Sequence, residues 1–252
     1  MRIAVCVKQV ASIADEVEFE PDGRDVDPDF VDRALNEWDA YAVEEALRIR
    51  DERGGEVLVL TVGDDESEEV LRRCAAMGAD RLVRVSSQAL PGPDPIAVAR
   101  ALGSVLGAER PELVLCGAQS SDAVQGATAS ALAGLLGLPV VAVVRRIELS
   151  ADGASAVVHR ELEGGLVDVM EVDLPAVLSV QTGINEPRYV TLRAIQEAAT
   201  RELPVVEPEK AGPPGYRVRR MFLPERRQAA MIPGSPAEIA RRILEIVEET
   251  VR

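Results

Sequence analysis

Short apolar segments alternate with amphipathic helical segments over the first 145 residues. RIAVCVK, residues 2–8, is typical of a buried strand, and LNEWDAYAVEEALRIRDERGG, residues 35–55, is typical of a helix that ends at its two glycines. The alternation repeats and ends at PVVAVVRRIEL. It predicts an α/β fold with a mostly parallel, doubly wound sheet that helices cover on both faces. A reversal of strand order would open a crevice at the carboxyl ends of the strands, where ligands bind.

The pattern changes from residue 146 onward. RRIELSADGASAVVHRELEGG predicts two strands around an Asp-Gly turn, and LVDVMEVDLPAVLSV is strand-like throughout. We therefore expect an antiparallel β addition over about residues 146–180, within a domain that covers residues 1–200.

A C-terminal arm and helix, residues 201–252, follow this domain. ELPVVEPEKAGPPG is rich in Pro, Glu and Gly, which is typical of a linker or an extended arm. The helix begins in GSPAEI, where Ser235 and Glu238 have the spacing of a capping box. Its apolar stripe must be buried either on the chain's own domain or on a partner chain. The stripe consists of Ile239, Ile243, Ile246 and Val247.

Composition excludes several classes of function. The net charge of −15 and the low aromatic content of 3% argue against binding to nucleic acid or to anionic membrane surfaces. The three cysteines are far apart and there is one histidine, so a zinc site, a disulfide framework and Ser-His-Asp catalysis are not expected. No apolar run approaches the ~20 residues of a membrane helix. These features predict a cytoplasmic protein without a metal and without membrane insertion.

The most plausible ligand site is LVLCGAQSSDAVQGATAS, residues 113–130, where a strand, a small polar loop and a helix starting near Val124 follow one another. The loop contains no Lys or Arg, so it would hold a phosphate through helix amides and the hydroxyls of Ser120, Ser121 and Thr128. Asp122 would oppose a phosphate and is interpreted as a helix cap. A polar loop before a capped helix, with no ligand, explains the same residues equally well.

Other polar residues are ambiguous by themselves. Lys8 ends the first strand, at the edge where ligands bind in such sheets. Asn36 is more typical of an N-cap than of a ligand-binding residue, and Trp38 is more typical of packing. Glu161 and Glu163 alternate with Leu162 and follow Arg160, which favours an exposed charged strand face over a catalytic pair of carboxylates.

Several segments together resemble the beta subunit of electron transfer flavoprotein. They are VHRELEGGLVDVMEVDLPAVLSV, INEPRYVTL, LNEWDAYAVEEALRIRDE and CAAMGADR, and the similarity extends over almost the whole chain. The resemblance implies a Rossmann-like fold of the adenine-nucleotide-hydrolase kind and a heterodimer with an alpha subunit, whose own domain carries the redox-active FAD. It also implies a buried AMP, which a second FAD replaces in electron-bifurcating members.

The resemblance also assigns site residues. The residues that it places at the nucleotide are Cys6, Lys8, Asn36, Glu37, Trp38, Asp39, Val62, Gly117, Gln119, Ser120, Ser121, Asp122, Gln125, Gly126, Ala127 and Thr128. Ile13, Trp38 and Glu161 are expected to face the flavin of the alpha subunit. Ala123 and Val124 replace polar residues of the family's loop, which favours AMP over a second flavin.

A recognition loop is implied over about residues 184–199. Thr191 is predicted to be a helix N-cap, with Val190 and Ile195 as a hydrophobic staple across it, which leaves Leu192 without a local role. In the family, the leucine beside this threonine enters a pocket of partner dehydrogenases, so Leu192, with Tyr189, Thr191 and Ile195, is expected to bind them. Acyl-CoA dehydrogenases are the expected donors, and a membrane quinone oxidoreductase is the expected acceptor.

Two other functions compete with an electron carrier. A universal-stress-type regulatory protein that binds adenine nucleotides explains residues 1–145, but it gives no role to the later segments. An enzyme that acts through Asp122 or Glu161 lacks a nucleophile and a base within one site.

Overall fold

A computed structural model describes residues 1–12, 17–88, 90, 94–208, 215–223 and 231–250. The strands in these residues are β1 (Arg2–Val7), β2 (Gln9–Ser12), β3 (Asp32–Leu35), β4 (Glu56–Gly63), β5 (Arg81–Ser86), β6 (Leu113–Gly117), β7 (Val140–Leu149), β8 (Ser155–Glu161), β9 (Val167–Asp173), β10 (Ala176–Val180) and β11 (Val205–Val206). The α-helices are α1 (Glu37–Arg53), α2 (Glu68–Met77), α3 (Pro95–Glu109), α4 (Thr128–Leu136), α5 (Leu192–Ala199) and α6 (Pro236–Thr250).

Nine strands form one sheet in the order β11-β5-β4-β1-β6-β10-β7-β8-β9. The pairs from β11 to β7 are parallel, whereas β8 and β9 are added antiparallel. β2 and β3 form a separate antiparallel pair. The predicted mostly parallel α/β sheet with an antiparallel addition is thus confirmed. The strand order reverses between β1 and β6, which is where such sheets bind ligands.

The predicted C-terminal end of the antiparallel addition was wrong. We expected it to include residues up to 180, but β10 returns to the middle of the sheet and runs parallel to both β6 and β7. All five residues of β10 are buried. A strand whose two faces are both buried needs a position that other elements cover on each side, and the centre of a doubly wound sheet provides it.

The core lies in two layers, one on each face of the sheet. Ile3 and Val5 of β1 point to the layer that includes Leu47 of α1, whereas Ala4 points to the layer that includes Leu102 of α3. This alternation follows from the two-residue period of a strand. Helices on both faces therefore hold the carboxyl ends of the central strands in fixed positions.

The predicted Thr191 cap of α5 is present, and for α6 the Glu238 half of the predicted capping box is present. The backbone N–H of Ala194 donates to the Thr191 hydroxyl at 3.2 Å, and the Ser235 backbone N–H and hydroxyl both donate to the Glu238 carboxylate at 2.7 Å. Val190 is buried in the core, whereas Ile195 stays partly exposed.

The apolar stripe of α6 is not buried on the rest of the described chain. The side chains of Ile243, Ile246 and Val247 are exposed, and Ile239 is half-buried. Within the described residues, Ile243 and Val247 thus keep apolar surface exposed, and burial of the stripe on a partner chain stays a prediction. None of the described helices combines the length and the apolar composition that are needed to cross a bilayer.

Candidate functional site

A cavity of about 420 Å³ opens at the carboxyl ends of β1, β4 and β6, where the strand order reverses. The residues lining it are Cys6, Val7, Lys8, Asn36, Asp39, Val62, Ser87, Leu90, Pro95, Val98, Leu102, Cys116, Gly117, Ala118, Gln119, Ser120, Ala123, Gln125, Gly126, Ala127 and Thr128. One wall, from β4 and α3, is mainly apolar. The opposite wall is the polar loop before α4.

Asp39, in the first turn of α1, connects the two strands that flank the reversal. Its carboxylate accepts the backbone N–H of Lys8 at 2.7 Å and that of Gly117 at 3.0 Å. Burial raises the pKa of the Asp39 carboxyl to about 7, although these two hydrogen bonds act in the opposite direction. A Cβ atom at Gly117 would overlap the Asp39 carboxylate and lie 2.7 Å from the Cβ atom of Trp38. Only glycine therefore allows β6 to approach α1 this closely.

Asn36 precedes α1, as predicted, but its side chain does not cap the helix. Its amide instead donates to the carbonyl of Gln119 at 2.8 Å, and its side-chain oxygen accepts the N–H of Ser121 at 3.3 Å. The loop before α4 has no strand or helix partners for these backbone groups, so the Asn36 amide satisfies them. Asn36 thus shapes the cavity wall.

The predicted role of Asp122 as a helix cap was wrong. Asp122 accepts a hydrogen bond from the Lys8 ammonium at 2.6 Å, and Lys8 also lies 3.4 Å from the Ser120 hydroxyl. The helix begins at Thr128 and not near Val124. Val124 and Gly126 have positive φ angles of 52° and 57°, which a right-handed helix cannot include.

The N-terminus of α4 points into the cavity. Ala127 occupies the N-cap position and forms no side-chain cap, while Ala127 and Thr128 both line the cavity. The first N–H groups of a helix have no intrahelical partners and carry partial positive charge. This wall can therefore accept a phosphate without a dedicated basic side chain.

Most of the predicted nucleotide-site residues lie together at this cavity. Those that line it are Cys6, Lys8, Asn36, Asp39, Val62, Gly117, Gln119, Ser120, Gln125, Gly126, Ala127 and Thr128. Glu37, Trp38, Ser121 and Asp122 do not line it, although Ser121 and Asp122 form hydrogen bonds with residues that do.

Two of the three predicted flavin-facing residues, Trp38 and Glu161, lie within the described part of the chain. Trp38 lies behind Gly117 and donates from Nε1 to the Gln181 side-chain oxygen at 2.8 Å. Glu161 ends β8, where it is paired with Val167 of β9, away from the cavity lining. Ile13 lies outside the described residues.

The sequence reasoning missed the apolar wall. The lining residues that it did not place at the site are Val7, Ser87, Leu90, Pro95, Val98 and Leu102, whereas Cys116, Ala118 and Ala123 lie within the predicted segment 113–130. Ser87 follows β5 directly, and Pro95 begins α3. Ligand sites lie at the carboxyl ends of parallel strands. This rule could have placed the connection from β5 to α3 at the site.

A second candidate surface lies around the start of α5. The side chain of Tyr189 is 92% exposed and that of Leu192 is 73% exposed, and Ile195 follows one turn later on the same side of the helix. We call Tyr189, Leu192 and Ile195 the docking patch. Thr191, which was predicted as a partner contact, serves as the cap that starts the helix.

The described residues contain no cluster of three or more His, Cys, Asp or Glu side chains that could hold a metal ion. Cys6, Cys74 and Cys116 are buried free thiols. Cys6 and Cys116 are opposite each other in the β1–β6 register, and both line the cavity. Contact with the Cys6 thiol, together with burial, raises the pKa of Cys116, so this thiol stays protonated at neutral pH.

Comparison with known proteins identifies the family. Residues 27–211 match the model of the electron transfer flavoprotein domain. The chain is 42% identical to an electron transfer flavoprotein subunit beta from Methylophilus methylotrophus, over 99% of this chain and 98% of the relative. The chain belongs to the electron transfer flavoprotein family. This confirms the resemblance to an electron transfer flavoprotein beta subunit that was drawn from the sequence motifs.

Two further electron transfer flavoprotein relatives extend the comparison. A mitochondrial subunit beta from Oryza sativa subsp. japonica is 36% identical over 96% of this chain and 97% of the relative. Subunit CarD of the caffeyl-CoA reductase-Etf complex from Acetobacterium woodii is 36% identical over 84% of this chain and 80% of the relative.

Proposed function

We propose that this chain is the beta subunit of a heterodimeric electron transfer flavoprotein. It accepts electrons from dehydrogenases of the acyl-CoA type through an FAD that the alpha subunit mainly holds. The electrons then pass to a membrane quinone oxidoreductase or another acceptor, and the chain catalyses no substrate reaction itself. The observation that carries the pairing is the apolar surface that Ile243 and Val247 of α6 expose, because exposed apolar surface on a helix favours a partner surface. Trp38 and Glu161 are proposed to face the flavin of the alpha subunit.

The proposed ligand of the cavity is AMP. The apolar wall, with Val62 and Val98, suits an adenine base, and the start of α4 with Thr128 suits a phosphate. A volume of about 420 Å³ lies near the lower end of the roughly 300–1,000 Å³ typical of small-molecule sites. It therefore suits a mononucleotide better than the larger FAD.

A cofactor inventory of the purified heterodimer tests this assignment. We expect one FAD per heterodimer and one AMP, which acid denaturation would release for chromatography. Two FAD molecules and no AMP would show instead that a second flavin occupies the cavity, as in the bifurcating alternative.

The alternative of a stress-type regulatory protein predicts that the chain is self-sufficient. Expression alone should then give a monodisperse homodimer that binds adenine nucleotide, and co-expression with an alpha subunit should give no complex. We expect the opposite result, because the surfaces of α6 and the docking patch have no covering elements in the described chain. The three unbridged cysteines support a reducing compartment, and we propose the cytoplasm.

The docking patch is proposed to bind the electron-donating dehydrogenase through Leu192. Burying one exposed apolar side chain in a partner contributes roughly 1.5–3 kcal/mol, which corresponds to tenfold or more in affinity. Leu192→Ala in the heterodimer should therefore retain the fold and the flavin content but slow reduction by an acyl-CoA dehydrogenase at least tenfold. Leu135→Ala, on the exposed face of α4, is the matched control. An unchanged rate for Leu192→Ala would remove this role.

A further inference from the structure

The docking patch begins in a segment that has no regular secondary structure and continues onto α5. Residues 181–191 connect β10 to α5 without a helix or strand, and Tyr189 lies within them. An irregular segment of this kind is normally among the more mobile parts of a domain. Here it lies along α1, and two consecutive glutamates of that helix bind it.

The first contact is a fork between Arg188 and Glu44. The Glu44 carboxylate accepts the Arg188 backbone N–H at 3.0 Å, Nε at 2.8 Å and Nη2 at 3.1 Å. Arg188 Nη2 also lies 3.2 Å from the Asp51 carboxylate, two turns further along α1. Two parallel guanidinium bonds fix the orientation of an arginine as well as its position. The added backbone bond fixes the main chain directly before Tyr189.

The second contact is made by Asn185. Its side-chain amide donates to the Glu45 carboxylate at 2.9 Å and to the backbone carbonyl of Tyr41 at 3.1 Å. Glu44 and Glu45 are both buried, which is rare for glutamates unless a partner compensates the charge. Glu44 is paired with Arg188 of segment 181–191. Glu45 is bound by Asn185 of the same segment and also lies 3.5 Å from Arg48 of α1.

The far end of α5 is also held. Arg72 of α2 donates to the carbonyl of Ala199 at 2.8 Å, and Arg201 donates to the carbonyl of Ala79 at 2.6 Å. Arg72 thereby binds the C-terminal carbonyl end of α5, where a cation is favourable. The docking patch is thus fixed on both sides, by α1 before it and by α2 after it.

We propose that Glu44 and Glu45 are positioning residues for the docking of the electron-donating dehydrogenase. They hold Arg188 and Asn185 on α1, and so determine the direction in which Tyr189 and Leu192 leave the protein surface. This inference rests on the proposed function of the docking patch. A pre-organised patch binds more tightly because less conformational freedom is lost on docking.

The test uses the FAD-loaded heterodimer as the substrate of an acyl-CoA dehydrogenase. Glu44→Gln should raise the KM for the heterodimer about tenfold while kcat, flavin content and the flavin absorption spectrum stay unchanged. Amide hydrogen exchange should become faster within residues 182–195. Glu109→Gln is the matched control, because it removes another carboxylate that pairs with an arginine fork, Arg81, at 2.8 Å. The control should leave both KM and exchange in residues 182–195 unchanged.

Arg188→Lys is a second variant for the case that Glu44→Gln does not fold. Lysine keeps the cation, so the Glu44 charge stays compensated, but it cannot form the fork. We expect a KM increase of about threefold to fivefold. A KM within twofold of the wild type, in a folded variant with Leu192→Ala impaired, would overturn the positioning role.

The double variant Glu44→Gln/Leu192→Ala separates positioning from general stability. If Glu44 acts through the docking patch, adding Glu44→Gln to Leu192→Ala should raise the KM by less than a further twofold. A further tenfold increase of the KM in the Leu192→Ala background would contradict the inference. A Leu192→Ala heterodimer with wild-type KM would instead contradict the proposed docking patch itself, so the two failures are distinguishable.

Discussion

Two helical isoleucines show how differently the two ends of this chain treat apolar side chains. Ile49 of α1 is packed in the core beneath the sheet, whereas Ile243 of α6 has half of its surface exposed. The same contrast holds for strands, since β10 is buried throughout and Val169 of β9 is 62% exposed. The parallel domain thus obtains its stability from its own core. The later elements carry apolar surface that the described chain leaves uncovered.

The contrast is sharpest in an alanine comparison at these two isoleucines. Ile49→Ala should lower the free energy of unfolding of the isolated chain by roughly 2–5 kcal/mol, because it leaves a cavity in the core. Ile243→Ala should change it by less than about 0.5 kcal/mol, since half of that side chain's surface is exposed to solvent. Urea unfolding of both variants measures the difference. Equal losses would mean that α6 is part of the same cooperative core.

The buried carboxyl of Asp39 provides a second way to test the parallel domain. Its pKa rises from 3.8 to about 7 on folding, so the folded state binds the proton more tightly. The associated stability is complete below pH 3.8 and is lost as pH rises through about 7. Between pH 5 and pH 7 the wild type should lose about 2–3 kcal/mol relative to Asp39→Asn.

Urea unfolding of the wild type and Asp39→Asn at several pH values checks this dependence. Subtracting the two free energies of unfolding removes the contribution of the carboxylates that both proteins contain. A difference that stays constant from pH 5 to pH 8 would contradict a neutral carboxyl at this position.

Glycine positions inside the domain allow a smaller test of close packing. Gly117→Ala should destabilise the chain by about 1–3 kcal/mol and weaken AMP binding, because its Cβ atom would overlap Asp39. Gly134→Ala in α4 is the control, since a Cβ atom there meets nothing within 4 Å. The control should stabilise the helix by roughly 0.5–1 kcal/mol. Calorimetry with and without AMP would show both effects, and a neutral Gly117→Ala would refute the close approach.

The smallest expected effect concerns the exposed stripe in the complex. Ile243→Ala should weaken the affinity for the alpha subunit about tenfold, or about 1.4 kcal/mol, although it leaves the isolated chain unchanged. Glu248→Ala, also exposed on α6, is the control. Isothermal titration with the alpha subunit compares them. If both variants bind like the wild type, α6 does not contribute to the heterodimer interface.

The sequence was sufficient for most of the parallel domain because strand and helix periods differ clearly there. It was insufficient for β10, since a five-residue segment with four apolar residues has the same pattern whether its neighbours are parallel or antiparallel. Its central position follows from burial on both faces, which depends on elements that are distant in sequence.

The site was predictable in outline and not in its internal contacts. The loop after β6 and the end of β1 were identified from strand ends, and they do meet at the cavity. The pairing of Lys8 with Asp122 spans 114 positions, so no local pattern signals it. The late start of α4 depends on positive φ at Val124, a conformation that β-branched residues rarely adopt.

The ion pair between Lys8 and Asp122 has a consequence for how ionic strength acts on this protein. It neutralises the lysine at the cavity, and the chain as a whole carries a net charge of −15. An approaching nucleotide anion therefore meets repulsion at long range and gains its attraction only from short-range amide contacts. Because dissolved salt screens the long-range part alone, added salt should hold or strengthen nucleotide affinity, the reverse of what a basic phosphate site shows.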